Sequence, residues 1–240
     1  MKKLLLSFLI LLTLAQYSCV PVYRPTSYNI PMFDSADELH MAAHIGTNGV
    51  DVQTAYSIDD EFAVMINGSF ANRNDNNADT NTFSSIRRHT FVEMGVGYYD
   101  KIGKNGMFEL YAGAGAGQSE AVDVLNGDSI SAQGDFVKLF IQPSISFKSK
   151  NAQFGFVNRF SYITFSRYED DFDLNSGNFV LRTTFIEPAI FFSFGNENIR
   201  FIWQSGFSVP LSPIEFTYNP FITTFGLRFI IPQVGIKPKY

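Results

Sequence analysis

Residues 135–147 read DFVKLFIQPSISF, and they alternate. Val137, Leu139, Ile141, Pro143, Ile145 and Phe147 fall on one face of an extended chain, and Lys138, Gln142, Ser144 and Ser146 fall on the other, where Phe136 and Phe140 interrupt the polarity. A period of two with one apolar face is the pattern of a half-buried strand. The pattern recurs in both directions. In MFELYAGAGAG (107–117), Phe108, Leu110 and three alanines oppose Glu109, Tyr111 and three glycines. Phe201, Trp203 and Phe207 oppose Arg200, Gln204, Gly206 and Ser208, and Phe221, Phe225, Leu227, Phe229 and Ile231 oppose Thr224, Gly226 and Arg228.

From Glu38 onward the pattern predicts ten strands: 38–46, 50–58, 62–71, 89–99, 107–117, 135–147, 152–166, 179–194, 199–209 and 221–231. Eight remain if 38–58 is a hairpin packed elsewhere. Connections alternate in length. The segments around 59–61, 101–106, 148–151 and 195–198 are short, whereas 72–88, 118–134, 167–178 and 210–220 are long and polar. The short TNG turn at 47–49 breaks that rule. Short turns at one end and long loops at the other are the layout of a transmembrane β-barrel.

Alternation alone does not say which face is outside; a soluble ligand-binding barrel would turn its apolar face inward. Two features favour lipid. The polar face is too weakly polar for water, with about one charge per strand among Gly, Ser and large aromatics. Charge concentrates in the connections, and Tyr98, Tyr99, Phe147, Phe154, Phe192 and Phe194 gather near the short turns as an interfacial belt would. Composition agrees: aromatics reach 16%, with 26 Phe, and charged residues only 17%, light against ~25% in soluble domains. Mean hydropathy is nonetheless only +0.01, which alternating strands explain and apolar helices do not.

Residues 1–18 (MKKLLLSFLILLTLAQYS) have two lysines, an apolar run and a short polar stretch before Cys19, the single cysteine. This is the layout of a cleaved lipoprotein signal peptide, and it predicts lipidation of Cys19. One cysteine excludes an internal disulfide. Residues 19–36, with three prolines and no period, read as a lipidated extended tether that lies along the barrel mouth or enters the lumen. Residues 37–240 are the barrel domain. An even strand count puts both chain ends on the periplasmic side, with the lipid in the inner leaflet of the outer membrane. After cleavage, 16 basic side chains (18 less Lys2 and Lys3) face 23 acidic ones, net −7. That balance argues against nucleic acid as a partner. The partners expected are outer-membrane lipids and the barrel-assembly and lipoprotein-sorting machineries; the sequence names no surface partner.

The ionisable residues on the polar faces are Glu38, His40, His44, Asp51, Glu93, Glu109, Lys138, Arg159, Glu187, Arg200 and Arg228. Both signs occur, so they are expected to satisfy one another inside a narrow barrel; lining a small polar pore is the other reading. Arg87, Arg88 and Arg167, at loop ends, would reach outer-leaflet phosphates. His40 and His44 share a face with Glu38 beside them, but no cysteine remains and only His89 is left elsewhere, so no metal is expected. GAGAG (113–117) lacks the helix that a phosphate loop needs, and Gly113, Gly115 and Gly117 are expected to make lumen room for Tyr111, an arginine or the tether. Asp171, Asp173 and Asn175 have calcium-loop spacing, but Gly177 comes one place late and Arg182 replaces the closing glutamate. His89, with Ser84 and Ser85 before it, lacks a nucleophile motif. No catalytic residue and no cofactor are expected. FIQPSISF (140–147) and FIEPAIFF (185–192) form a weak repeat whose prolines, Pro143 and Pro188, predict bulges.

The stretches YRPTSYNIPMF (23–33), VQTAYSI (52–58), FAVMINGSF (62–70), FVEMGVGYY (91–99), FELYAGAGAG (108–117) and FIQPSISF (140–147) together resemble a family of small outer-membrane β-barrel lipoproteins of Bacteroidetes-type bacteria. The resemblance implies a fold and a membrane and assigns no activity. The expectation is a non-enzymatic, lipid-anchored barrel with an envelope-structural or surface-interaction role. The alternatives are a narrow passive pore and a soluble periplasmic ligand-binding barrel lipoprotein. The run beyond FGLRF (225–229) to Tyr240 departs from barrels that end on their last aromatic strand.

Overall fold

The computed structural model describes residues 20–76, 83–125, 127–171 and 181–232. Its strands are β1 (Leu39–Gly46), β2 (Gly49–Ser57), β3 (Phe62–Asn76), β4 (Phe83–Ile102), β5 (Gly106–Leu125), β6 (Asp128–Lys148), β7 (Ala152–Asp170), β8 (Arg182–Gly195), β9 (Ile199–Phe207), β10 (Val209–Pro210) and β11 (Phe221–Ile231). Each long strand pairs antiparallel with its neighbours from β1 to β9, and β9–β11 and β11–β1 complete the ring. The two-residue β10 continues β9 along β8, at Ile186 and Phe185. The result is a closed, ten-stranded, up-and-down barrel. A closed ring leaves no unpaired strand edge.

Two of the loops expected from sequence are largely strand. Residues 72–76 pair with 84–88, and 118–125 pair with 128–135, so β3–β6 run on well past the predicted ends. The reason is local. Beyond the apolar zone the outward residues become Asn72, Arg88, Gln118, Glu120, Gln133 and Asp135, and polarity on both faces hides a strand that still pairs. The bulges predicted at Pro143 and Pro188 are also absent. The β6–β7 register is the same on both sides of Pro143, and that of β7–β8 passes through Pro188. Each proline sits where one neighbouring ladder pauses, β6–β7 at Gln142–Pro143 and β8–β9 at Pro188. The register shift lies instead at Asp135/Phe136, opposite Ser166.

The faces are sorted along the middle of the wall, with a few polar residues, Thr54, Asn158 and Ser205 among them, on the outward side. On β6, Val137, Leu139, Ile141, Ile145 and Phe147 are exposed, while Phe136, Lys138, Phe140, Gln142, Ser144 and Ser146 are buried. Ten residue steps from Val137 to Phe147, at ~3.3 Å each and tilted ~40°, give an apolar band about 25 Å tall, the height of a bilayer's hydrocarbon layer. Leu227 on β11, Met94 on β4 and Ile190 on β8 continue that band around the ring.

Residues before β1 do not stay outside the barrel. Every residue from Val20 to Phe33 is buried. Tyr23 makes a parallel bridge to Tyr218, beside the connection that precedes β11, and Asp34 meets Lys101 and Lys148 by the short turns at the other end. The segment therefore runs the length of the lumen. Glu38 and Ile231 share the short-turn end, as an even strand count requires, but Val20 lies at the opposite end. The strand count gives the ten crossings of the wall; of the two courses that the sequence left open for the tether, the described part, 20–33, takes the one through the lumen.

Candidate functional site: the occupied lumen

An extended chain inside a barrel has no neighbouring strand to satisfy its backbone, and unpaired buried amides are costly. Here lumen side chains take that role. Gln204 accepts from Tyr28 N (2.9 Å) and donates to Tyr28 O (2.7 Å), so one amide replaces two ladder bonds. Gln142 donates to Asn29 O (2.8 Å) and Gln53 to Ser27 O (3.1 Å). Asp51 accepts from Ser27 N (2.8 Å) and Glu109 from Met32 N (3.0 Å). Arg228 donates to Ile30 O (2.7 Å) and Pro31 O (3.0 Å), and Arg159 to Thr26 O (2.9 Å). Met32, where the chain turns out of the lumen, has φ +59, a conformation uncommon for a side chain of its size and held here by Glu109 and Arg228.

All eleven ionisable residues singled out on the polar faces, from Glu38 to Arg228, are buried inside the ring. The structure brings four of them into one network at mid-lumen. Lys138 Nζ lies 2.5 Å from Glu93, Arg159 Nε 2.7 Å from Glu187, and Arg159 Nη1 3.9 Å from Glu93. Tyr23, Ser161 and Ser208 hydroxyls also donate to Glu187, at 2.8, 2.7 and 2.9 Å. Lys138 lies 4.5 Å from the Phe91 ring centroid, and the Arg159 guanidinium 4.6 Å from that of Tyr28. Two cations and two carboxylates balance, which is the condition for burying them. Arg200 stands apart, on Ser193 and Asn196 O, near the short-turn end.

Apolar packing closes the space above and below. Tyr28, Ile30, Met32 and Phe33 pack with Met65, Tyr99, Tyr111 and Phe140; Val20, Val22 and Tyr23 pack with Phe91, Phe136, Phe165 and Phe185. The glycines of GAGAG make room for phenylalanines, not for Tyr111, an arginine or the tether. A Cβ on Gly113 would fall 2.7 Å from the Phe140 ring, and one on Gly115 2.5 Å from Phe91.

The loop-end arginines each meet a carboxylate. Arg87 points inward to Asp123 (2.7 Å); Arg88 and Arg167 point outward to Glu120 (2.9 Å) and Asp135 (3.0 Å). His89 is 2% exposed and lies beside the stacked Phe91 and Phe136 rings, while Ser84 lies on the opposite face of β4. Among the described residues no group of three or more His, Cys, Asp or Glu is placed to hold a metal. Cys19 and most of the acidic stretch 170–177 lie outside the described residues. The inward glutamines were the residues that sequence reasoning passed over. A barrel that turns Gln53, Gln142 and Gln204 to its axis presents amides suited to a peptide backbone, and that was the available signal.

Polar charge inside, apolar surface outside and a closed antiparallel ring define an outer-membrane-type β-barrel. The fold is similar to that of the outer membrane protease OmpT from Escherichia coli, with a TM-score of 0.52 and 10% identity over 85% of this chain and 100% of that one. The translocator domain of the autotransporter NalP from Neisseria meningitidis aligns less well, with a TM-score of 0.45 and 10% identity over 80% of this chain and 86% of that one. No protein-family model and no curated protein matches the sequence.

Proposed function

We propose that this chain is a self-plugged, non-enzymatic barrel of the outer membrane, with an envelope-structural or surface-interaction role. The observation that carries the proposal is the continuous burial of residues 20–33 along the whole lumen. Fourteen extended residues reach up to about 45 Å at ~3.3 Å each, more than enough to cross the apolar band. A lumen so filled leaves little for a solute to pass, which counts against the narrow-pore alternative. The apolar outer band counts against the soluble ligand-binding one.

With the short turns on the periplasmic side, as in barrels of this type, the extended wall of β3–β7 stands outside the cell. That wall is the surface for a partner. The plug then delivers Val20 to the outer face. A lipid on Cys19 would anchor in the outer leaflet.

Conductance in planar bilayers tests the plug. The full chain stays silent, and a variant lacking residues 22–32 conducts, with its folding checked by resistance to detergent until boiled. A wild-type chain that conducts as strongly as the deletion variant refutes the proposal.

A further inference from the structure

Where the plug leaves the lumen at the long-strand end, a hollow of about 760 Å³ opens between the segment and the wall. Arg24, Arg87, Ser85, Asn48 and Asn219 line it. Its charges are unequally matched. Arg87 is paired with Asp123, and Arg73, also on the rim, with Asp75. Among the described residues Arg24 has no counter-charge. It is 6% exposed, and its Nε and Nη2 are buried with no hydrogen-bond partner. The neighbouring amides are committed to each other: Asn48 donates to Pro25 O, and Asn219 donates to Asn48 Oδ1. What remains on offer is a planar fork of N–H donors beside a second arginine. An unpaired buried guanidinium is expensive to maintain, and its geometry matches the oxygens of a phosphate.

We propose that this vestibule is an oxyanion site, in which a phosphate group is held by the free fork of Arg24, with the Asp123-paired Arg87 beside it. The inference rests on the plug reading, because Arg24 belongs to the plug. A phosphate there would bridge plug and wall and hold the segment in place. The hollow is larger than a lone phosphate, so the group arrives either free or on a carrier such as a lipid headgroup.

Two arms separate the sources. In the first, the full chain in phosphate-free detergent micelles is titrated calorimetrically with inorganic phosphate. In the second, the chain is reconstituted in phosphatidylcholine vesicles with or without phosphatidic acid, and the temperature at which it loses its compact gel form is recorded. Free phosphate as ligand gives saturable binding in the first arm. A headgroup gives a phosphatidic-acid-dependent rise in temperature in the second. In either case Arg24→Gln weakens the effect by about tenfold or more, Arg24→Lys weakens it less, and Arg88→Gln, on the outer face, leaves it unchanged. A wild-type chain that responds in neither arm, or an Arg24→Gln or Arg24→Lys response equal to wild type in both, overturns the proposal. The bilayer conductance experiment is independent of this outcome, so failure of the anion site and failure of the plug are told apart.

Discussion

Glu187 holds four donors, and its removal should be felt across the molecule. Oε2 accepts from Arg159 Nε and Ser161, both at 2.7 Å, and Oε1 from Tyr23 at 2.8 Å and Ser208 at 2.9 Å. Glu187→Ala breaks a buried ion pair, at a cost of about 3–5 kcal/mol. The lower figure applies because Glu93, 3.9 Å from Arg159, still offers that cation a partner. Three stranded hydroxyls add roughly 0.5–1 kcal/mol each, for a total near 5 kcal/mol. With a urea slope of ~2 kcal/mol/M, the unfolding midpoint of the vesicle-embedded barrel falls by about 2.5 M. Glu187→Gln keeps an acceptor oxygen and loses the charge, so it costs about half as much. Trp203 is the single tryptophan, and its emission reports the transition. The network also ties plug to wall, through Tyr23 and through the bonds from Arg159 to Thr26. In a chain lacking residues 22–32 the same substitution should therefore cost about 1 kcal/mol less, the hydrogen bond to Tyr23 being already gone. A midpoint shift below about 0.5 M for Glu187→Ala in the full chain would refute the view that these charges are mutually dependent.

Leu227→Arg, at the middle of the apolar band, should destabilise the folded barrel by about 2–4 kcal/mol, whereas Ser129→Arg, on the wall beyond the band, should lie within about 0.5 kcal/mol of wild type in the same unfolding experiment. Gly97→Ala should cost about 1–3 kcal/mol, because its methyl would lie 2.2 Å from the Tyr111 ring; a neutral result would show that ring to be loosely held. In whole cells, a membrane-impermeant thiol reagent should label Ile130→Cys and leave Lys150→Cys and Asp34→Cys unlabelled; the reverse pattern would invert the barrel in its membrane.

Much of the wall was legible because lipid imposes a binary rule. Wherever the outward residue must be apolar and the inward one polar, as from Val137 to Phe147, period two shows through the sequence. The rule lapses where the wall leaves the bilayer. Arg88, Glu120 and Asp135 point outward into water, so 72–88 and 118–134 looked like loops although the backbones of 72–76 and 84–88, and of 118–125 and 128–134, pair. The prolines misled for a related reason. Pro143 and Pro188 read as distortions, yet a strand tolerates a proline where one ladder pauses, and no bulge is needed. The plug was the least legible part. VPVYRPTSYNIPMF has no period because its partners are not strands but side chains scattered over the ring: Asp51, Glu109, Gln142, Arg159, Gln204 and Arg228. Its direction through the lumen is set by those partners, and no local pattern encodes it. The inward charges were visible as a set, but their pairing was not. That Lys138 meets Glu93 while Arg159 meets Glu187 depends on how the strands stagger around the ring.

The apolar flank of the strands facing acyl chains underlies all of the above, and Trp203 on β9 reports on it directly. Reconstituted in vesicles, its fluorescence should be strongly quenched by lipids brominated along the acyl chain and barely touched by aqueous acrylamide. Efficient quenching by acrylamide, with none from the brominated chains, would place that face in water and contradict the account.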